Sequence, residues 1–111
     1  MNRGAALWRC AAAAAGLLLA GAAAADQAAD DHVVSVQITG FEPQVLSVKK
    51  GDRITWVNKD LFPHTATADN KGFDSGSIAP AGTWTFVAAK PGTYTYTCAF
   101  HPTMKGTLRV Q

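Results

Sequence analysis

Residues 92–98 read GTYTYTC, an alternation of threonine with tyrosine that ends on a cysteine. Successive side chains of a strand point to opposite faces, so Tyr94, Tyr96 and Cys98 share one face and Thr93, Thr95 and Thr97 the other. The aromatic face is the one to bury, which turns the Cys98 thiol inward at the very end of a strand. Similar β-branched and aromatic runs, bounded by Gly, Pro and charged turns, recur upstream. Val34, Val36 and Ile38 alternate with Ser35, Gln37 and Thr39; VLSV at 45–48 leads through KKGD into RITWVN at 53–58; TWTFVAA at 83–89 runs through KPG into the opening stretch. A last strand covers residues 106–110. No stretch sustains helical periodicity, and no internal repeat is present. Several short strands in one small unit predict an all-β fold, an antiparallel Greek-key β-sandwich of about seven to eight strands. Trp84 and Phe86 then lie on the hairpin partner of residues 92–98, and Trp56, Trp84, Tyr94 and Tyr96 are expected in the core.

The first 25 residues differ from the rest. Arg3 and Arg9 precede an alanine-rich run from Ala11 to Ala25, and Ala23, Ala24 and Ala25 stand before Asp26. This is the pattern of a cleaved secretory signal peptide over 1–25, at the lower limit of the about 20 apolar residues a membrane helix needs. Cys10 leaves with it. Residues 26–32 read as a flexible lead-in with a solvated His32, and residues 33–111 as one domain. Without Arg3 and Arg9 the basic residues number eight, equal to the acidic ones, so nothing marks a nucleic-acid partner. No membrane insertion is expected of the mature protein, and a monomer is expected. SGSIAPAG at 75–82 is a loop, since it lacks the glycine spacing and Lys-Ser/Thr ending of a phosphate cradle.

A secreted domain this small is only marginally stabilised by burial, and such domains often add disulfides. Cys98, the one cysteine left, has no partner within the chain. A free thiol in an oxidising compartment is protected when a metal occupies it, and binding then stabilises the fold that forms the site. The segment CAFHPTM at 98–104 places Cys98, His101 and Met104 at three-residue steps on one tight loop. One anionic sulfur, one imidazole and one thioether suit copper better than calcium or magnesium. A fourth donor must come from His32 or His64. His64 follows the strand RITWVN and is preceded by Pro63, which restricts its entry. It is the better choice and completes a His2Cys plane with an axial Met, the type 1 blue-copper set.

Together, GTYTYTCAFHPTMKG at 92–106 and GDRITWVNKDLFPHT at 51–65 resemble a cupredoxin over residues 33–111, and the two-residue gap between His101 and Met104 is similar to that of the amicyanin type. The resemblance implies a periplasmic protein that shuttles single electrons, binds one copper ion through His64, Cys98, His101 and Met104, and is not an enzyme. It also implies transient partners such as a periplasmic dehydrogenase or a c-type cytochrome. Thr65 stands where such proteins carry Asn. Its backbone N–H can still donate to the Cys98 sulfur, whereas a side-chain tie between the ligand loops is not implied. Phe100 and Thr103 also depart from the amicyanin loop. Pro102 lacks an N–H, so a second amide bond to Cys98 is expected to be missing and the potential lowered. His101 is expected to reach the surface through an apolar rim of Phe62, Pro63, Phe100 and Pro102, where partners dock. A periplasmic copper carrier is the alternative function, although such sites are rich in Met and this one offers only Met104 outside the signal. A Cys98–His101 thiol enzyme lacks an orienting third group, and structural zinc seldom recruits Met.

Overall fold

The computed structural model describes residues 28–111. The expected signal peptide at 1–25 lies outside the described residues, as do the first two positions of the expected lead-in. Eight strands follow in order: β1 (Asp31–Gln37), β2 (Gly40–Glu42), β3 (Val45–Val48), β4 (Arg53–Asn58), β5 (Thr67–Ala68), β6 (Thr83–Val87), β7 (Gly92–Cys98) and β8 (His101–Val110). They form two four-stranded sheets, ordered β2-β1-β4-β6 and β3-β8-β7-β5. No helix is present among the described residues, so none is long and apolar enough to cross a membrane.

The sandwich is as expected, but its pairing is not purely antiparallel. β1 pairs with β4 and β3 with β8 in parallel. Such pairs arise because strands adjacent in sequence pass to opposite sheets instead of forming hairpins. The turn after β3 carries the chain across to β4 in the facing sheet, and the Lys-Pro-Gly turn after β6 does the same. Trp84 and Phe86 therefore do not pair beside residues 92–98. They face them across the core, and the neighbours of β7 are β8 and β5. Crossing lets the aromatic faces of β6 and β7 bury one another, which side-by-side pairing would not.

The core is aromatic at its centre. Trp56 on β4 is fully buried and meets Tyr96 edge-on, with ring centroids 5.5 Å apart. Phe73, from the loop after β5, lies 5.4 Å from Trp56, 4.9 Å from Phe86 and 5.6 Å from Tyr96, joining both sheets. The alternation in β7 holds throughout: Tyr94, Tyr96 and Cys98 are buried, while Thr93 and Thr95 are exposed and Thr97 is half-buried. Gly106 on β8 is the residue that lets Tyr96 lie flat here, since a Cβ at that position would sit 2.5 Å from the Tyr96 hydroxyl. Ile38, expected to continue the alternation of Val34 and Val36, falls beyond the end of β1 and is 71% exposed.

At the pole away from Cys98, the last two residues of the expected lead-in belong to a strand. β1 begins at Asp31, so His32 is not a solvated terminal residue: its Nε2 lies 3.0 Å from Asp52 Oδ2. Asp52 is buried at 1% exposure and accepts the Asp30 and Lys49 backbone N–H groups at 3.0 and 2.9 Å. One carboxylate thus ties the start of β1 to the β3–β4 turn. The Asp30 amide first, then the Lys49 amide and His32, hold its pKa far below the usual carboxylate value. A depressed folded-state pKa contributes stability that is present above the ordinary value of about 4 and lost as pH falls below it. Thermal unfolding from neutral pH downward should therefore show Asp52→Asn less stable than wild type near neutrality, with the difference shrinking below about pH 4.

Candidate metal centre

β7 ends at Cys98 and β8 starts at His101, so Ala99 and Phe100 form a two-residue turn rather than the longer loop expected. Cys98 pairs with His101 while Thr97 pairs with Lys105. Pro102, Thr103 and Met104 are thus an insertion on β8, a bulge that re-aims side chains at the end of the sheet. Met104 is buried on the inward face of β8, and the strand starts well before residue 106.

The second segment is the loop after β4. Asn58, fully buried, donates its Nδ2 to the carbonyls of Phe62 at 2.8 Å and Ile78 at 2.9 Å, and its Oδ1 accepts the Asp60 N–H at 2.9 Å. His64 itself pairs with Ile78 through two backbone hydrogen bonds. These contacts bring His64, buried at 1% exposure, beneath the β7–β8 turn.

The result is one cluster. One donor atom from each of His64, Cys98 and His101 lies within 4.8 Å of the others. His64 Nδ1 is 3.6 Å from Cys98 Sγ, and the two imidazole rings are 5.2 Å apart. Of the three, His64 and Cys98 are buried and His101 is exposed. His32, the other histidine considered, is not in this group.

The thiol is prepared for ionisation. Burial, the largest single influence, pushes the Cys98 pKa up. The Thr65 N–H, His101, His64 and the Phe100 N–H together outweigh it and bring the value to about 6, so the thiolate predominates near neutrality. For His64, burial favours the neutral ring, but Asp60 and Cys98 outweigh it and raise its pKa. Asp60 is in turn held below its usual value, chiefly by His64.

One detail revises the expectations for residues around the sulfur. The Thr65 N–H donates to Cys98 Sγ at 3.3 Å, as anticipated. Its hydroxyl also accepts the Ala99 N–H at 2.7 Å, so the side-chain tie between the two segments exists. Thr67 donates its only proton to Asp74 at 3.0 Å, so the Thr65 hydroxyl must be the donor in its 2.9 Å bond to Thr67. The Phe100 N–H also helps hold the Cys98 pKa down.

Phe62, Pro63, Phe100 and Pro102 are all exposed. Phe62, Pro63 and Phe100 line a shallow groove with His101, Asp60 and Ile38. Leu61 at 84% exposure and Ile38 extend the apolar surface. Neither stood out in the sequence, though Leu61 adjoins Phe62 in NKDLFPHT.

A buried thiolate-forming sulfur between two imidazoles, at one pole of a β-sandwich, is the donor set of a type 1 copper centre. A family model described as a cupredoxin-like domain matches residues 9–110. The chain belongs to that family. Scenedesmus fuscus plastocyanin is 34% identical, over 64% of this chain and 86% of its own. Amicyanin of Paracoccus denitrificans is 31% identical, and the match spans 71% of this chain but only 64% of amicyanin. Among solved structures, a copper-containing nitrite reductase from Thermus scotoductus superposes with a TM-score of 0.68 and 29% identity, covering 85% of this chain and 25% of the reductase.

Proposed function

We propose that this protein is a mononuclear type 1 copper protein that passes single electrons between periplasmic redox partners, with His64, Cys98, His101 and Met104 as ligands. The observation that carries this reading is the meeting of His64, Cys98 and His101 at a buried, thiolate-stabilising position. The copper ion supplies a Cu(II)/Cu(I) couple. The chain supplies a site that need not rearrange: Thr65 links the two ligand-bearing segments by bonds from backbone and side chain, and Asn58 locks the approach to His64. Met104, buried at the bulge, would add a weak thioether donor to a bound copper ion.

The site serves a carrier rather than an enzyme. Cys98, His64 and Met104 are enclosed, and the surface is reached through the His101 edge, which leaves a substrate no position at the metal. Electrons enter and leave through that edge, and partners dock on the apolar rim of Phe62, Pro63, Phe100 and Pro102. A c-type cytochrome or a periplasmic dehydrogenase fits the role, bound briefly, as is usual for small electron-transfer interfaces. The Arg-containing, alanine-rich residues 1–25 support export by a cleaved signal peptide.

Stopped-flow electron transfer to a c-type cytochrome tests the docking surface. Phe100→Glu should slow the bimolecular rate on the order of tenfold while leaving the copper content and visible spectrum intact. An unchanged rate would remove the patch from the account.

A further inference from the structure

We infer that Asp74, an exposed carboxylate in the loop after β5, is a positioning residue that acts on the metal centre from outside it: through two threonine hydroxyls it strengthens the bond holding the turn after Cys98 to the segment that carries His64. The inference rests on the copper reading above and deepens it. The path runs from the turn outward. Ala99 donates its N–H to Thr65 Oγ1 at 2.7 Å, Thr65 donates to Thr67 Oγ1 at 2.9 Å, and Thr67 donates to Asp74 Oδ1 at 3.0 Å. Each hydroxyl has one proton to give. A carboxylate at the far end turns the Thr67 proton outward and leaves the Thr67 oxygen to receive the one from Thr65. The Thr65 lone pairs are then free to face Ala99. A hydroxyl that donates is also a stronger acceptor, because successive hydrogen bonds polarise one another.

Asp74 is held where this order requires it. Residues 73–78 run beside residues 64–68: the Ser75 N–H donates to the Ala66 carbonyl at 3.0 Å, the Ala66 N–H donates to Ser75 Oγ at 2.8 Å, and His64 pairs with Ile78. Asp74 stands opposite Thr67 in this ribbon, and its Oδ1 also accepts the Gly76 N–H at 3.0 Å. Without Asp74, the Thr67 proton can turn back on Thr65, whose own proton must then find another partner, and the bond from Ala99 weakens. Cys98 and His101 flank the turn that Ala99 begins, so this bond bears on the spacing between the two segments that carry the three donor atoms. The path thus spans the protein's wall, from Thr65 at 4% exposure to a carboxylate in solvent.

Two measurements on the purified protein test this. In the copper-free form, hydrogen exchange at the Ala99 amide should become roughly tenfold faster in Asp74→Ala, the effect of weakening one hydrogen bond, and Thr67→Val should match it. Asp74→Asn, whose carbonyl oxygen can still accept from Thr67, should recover most of the protection. Adding Asp74→Ala to Thr67→Val should change nothing further, because the path is already cut, whereas a role confined to the Gly76 turn would act in both backgrounds. In the copper-loaded form, Asp74→Ala and Thr67→Val should each give up copper to EDTA on the order of tenfold faster, the lower end of what losing an outer contact around a metal's ligands costs. Equal Ala99 exchange in wild type and Asp74→Ala would overturn the inference, as would equal effects of Asp74→Ala with and without the Thr67 hydroxyl, or unchanged copper release. The exchange measurement needs no metal, so failure of the copper reading, seen as a wild type that retains no copper, registers separately.

Discussion

Replacing Cys98 with serine is expected to abolish intense visible absorption and to weaken copper binding by more than about 100-fold, beyond the 10–100-fold typical of losing an outer partner of a ligand. Serine is nearly isosteric and inherits the same surroundings: the Thr65 N–H at 3.3 Å, the two imidazoles and full burial. What it cannot inherit is ionisation. Those groups bring a thiol to about 6, whereas a hydroxyl starts many units higher and stays neutral. The site would keep its shape and lose its anionic soft donor. The folded structure should survive, because the small polar group still finds the Thr65 amide. Equilibrium dialysis against Cu(II), with circular dichroism as a control for folding, separates the two. A serine variant that binds copper as tightly as wild type would mean that the thiolate is not the principal ligand.

The second large effect is on stability. Trp56→Ala should cost about 3–5 kcal/mol, the range for removing a large buried aromatic side chain. Trp56 has no exposed surface, and it touches both layers of the core. Its ring lies 5.5 Å from Trp84 on the neighbouring strand and 5.5 Å from Tyr96 in the facing sheet, with Phe73 at 5.4 Å. Deleting it leaves a void that three aromatic rings cannot close without breaking their own contacts. Domains have only about 5–15 kcal/mol in total, so a urea melt of the variant should show a greatly reduced midpoint. A loss under about 1 kcal/mol would show that the core repacks freely around the deletion. The Trp56 indole N–H has no hydrogen-bond partner in the core. Both substitutions remove that donor, so Trp56→Phe should be milder than Trp56→Ala because it deletes less volume.

The legible parts of this chain are those written in local patterns. Alternation in residues 92–98 places Tyr96 and Cys98 inward because strand geometry has a period of two wherever the strand sits. Cys98, His101 and Met104 are close in sequence, and only two other histidines exist, so the choice of His64 needed no long-range information. The illegible parts are those decided by partners distant in sequence. The Lys-Pro-Gly turn announces a reversal, but the same residues serve a hairpin or a crossing between sheets, so the neighbours of β7 were misplaced. The two parallel pairs follow from those crossings and have no local signature. Phe73 stands alone in a polar loop, and only the closing of the sandwich makes it central.

Around the metal centre the same division holds. Asp60 reads as a solvated loop acid until the turn built by Asn58 brings it to His64. Asp52 and His32 look like surface charges, and a 20-residue separation joins them. The turn after Cys98 is two residues long because Cys98 pairs with His101, a register that no local pattern announces. Thr65 is the instructive case, since a hydroxyl in place of an amide still reaches Ala99 at 2.7 Å. What matters there is an acceptor at the right distance, not the residue type.

The most direct test of the copper assignment is the visible absorption spectrum of the purified protein, titrated with Cu(II) and then reduced with ascorbate. An intense blue band that saturates at one copper per chain and bleaches on reduction is expected. A colourless or weakly coloured product would contradict it, because a Cys98 thiolate bound to Cu(II) in a type 1 geometry cannot be pale.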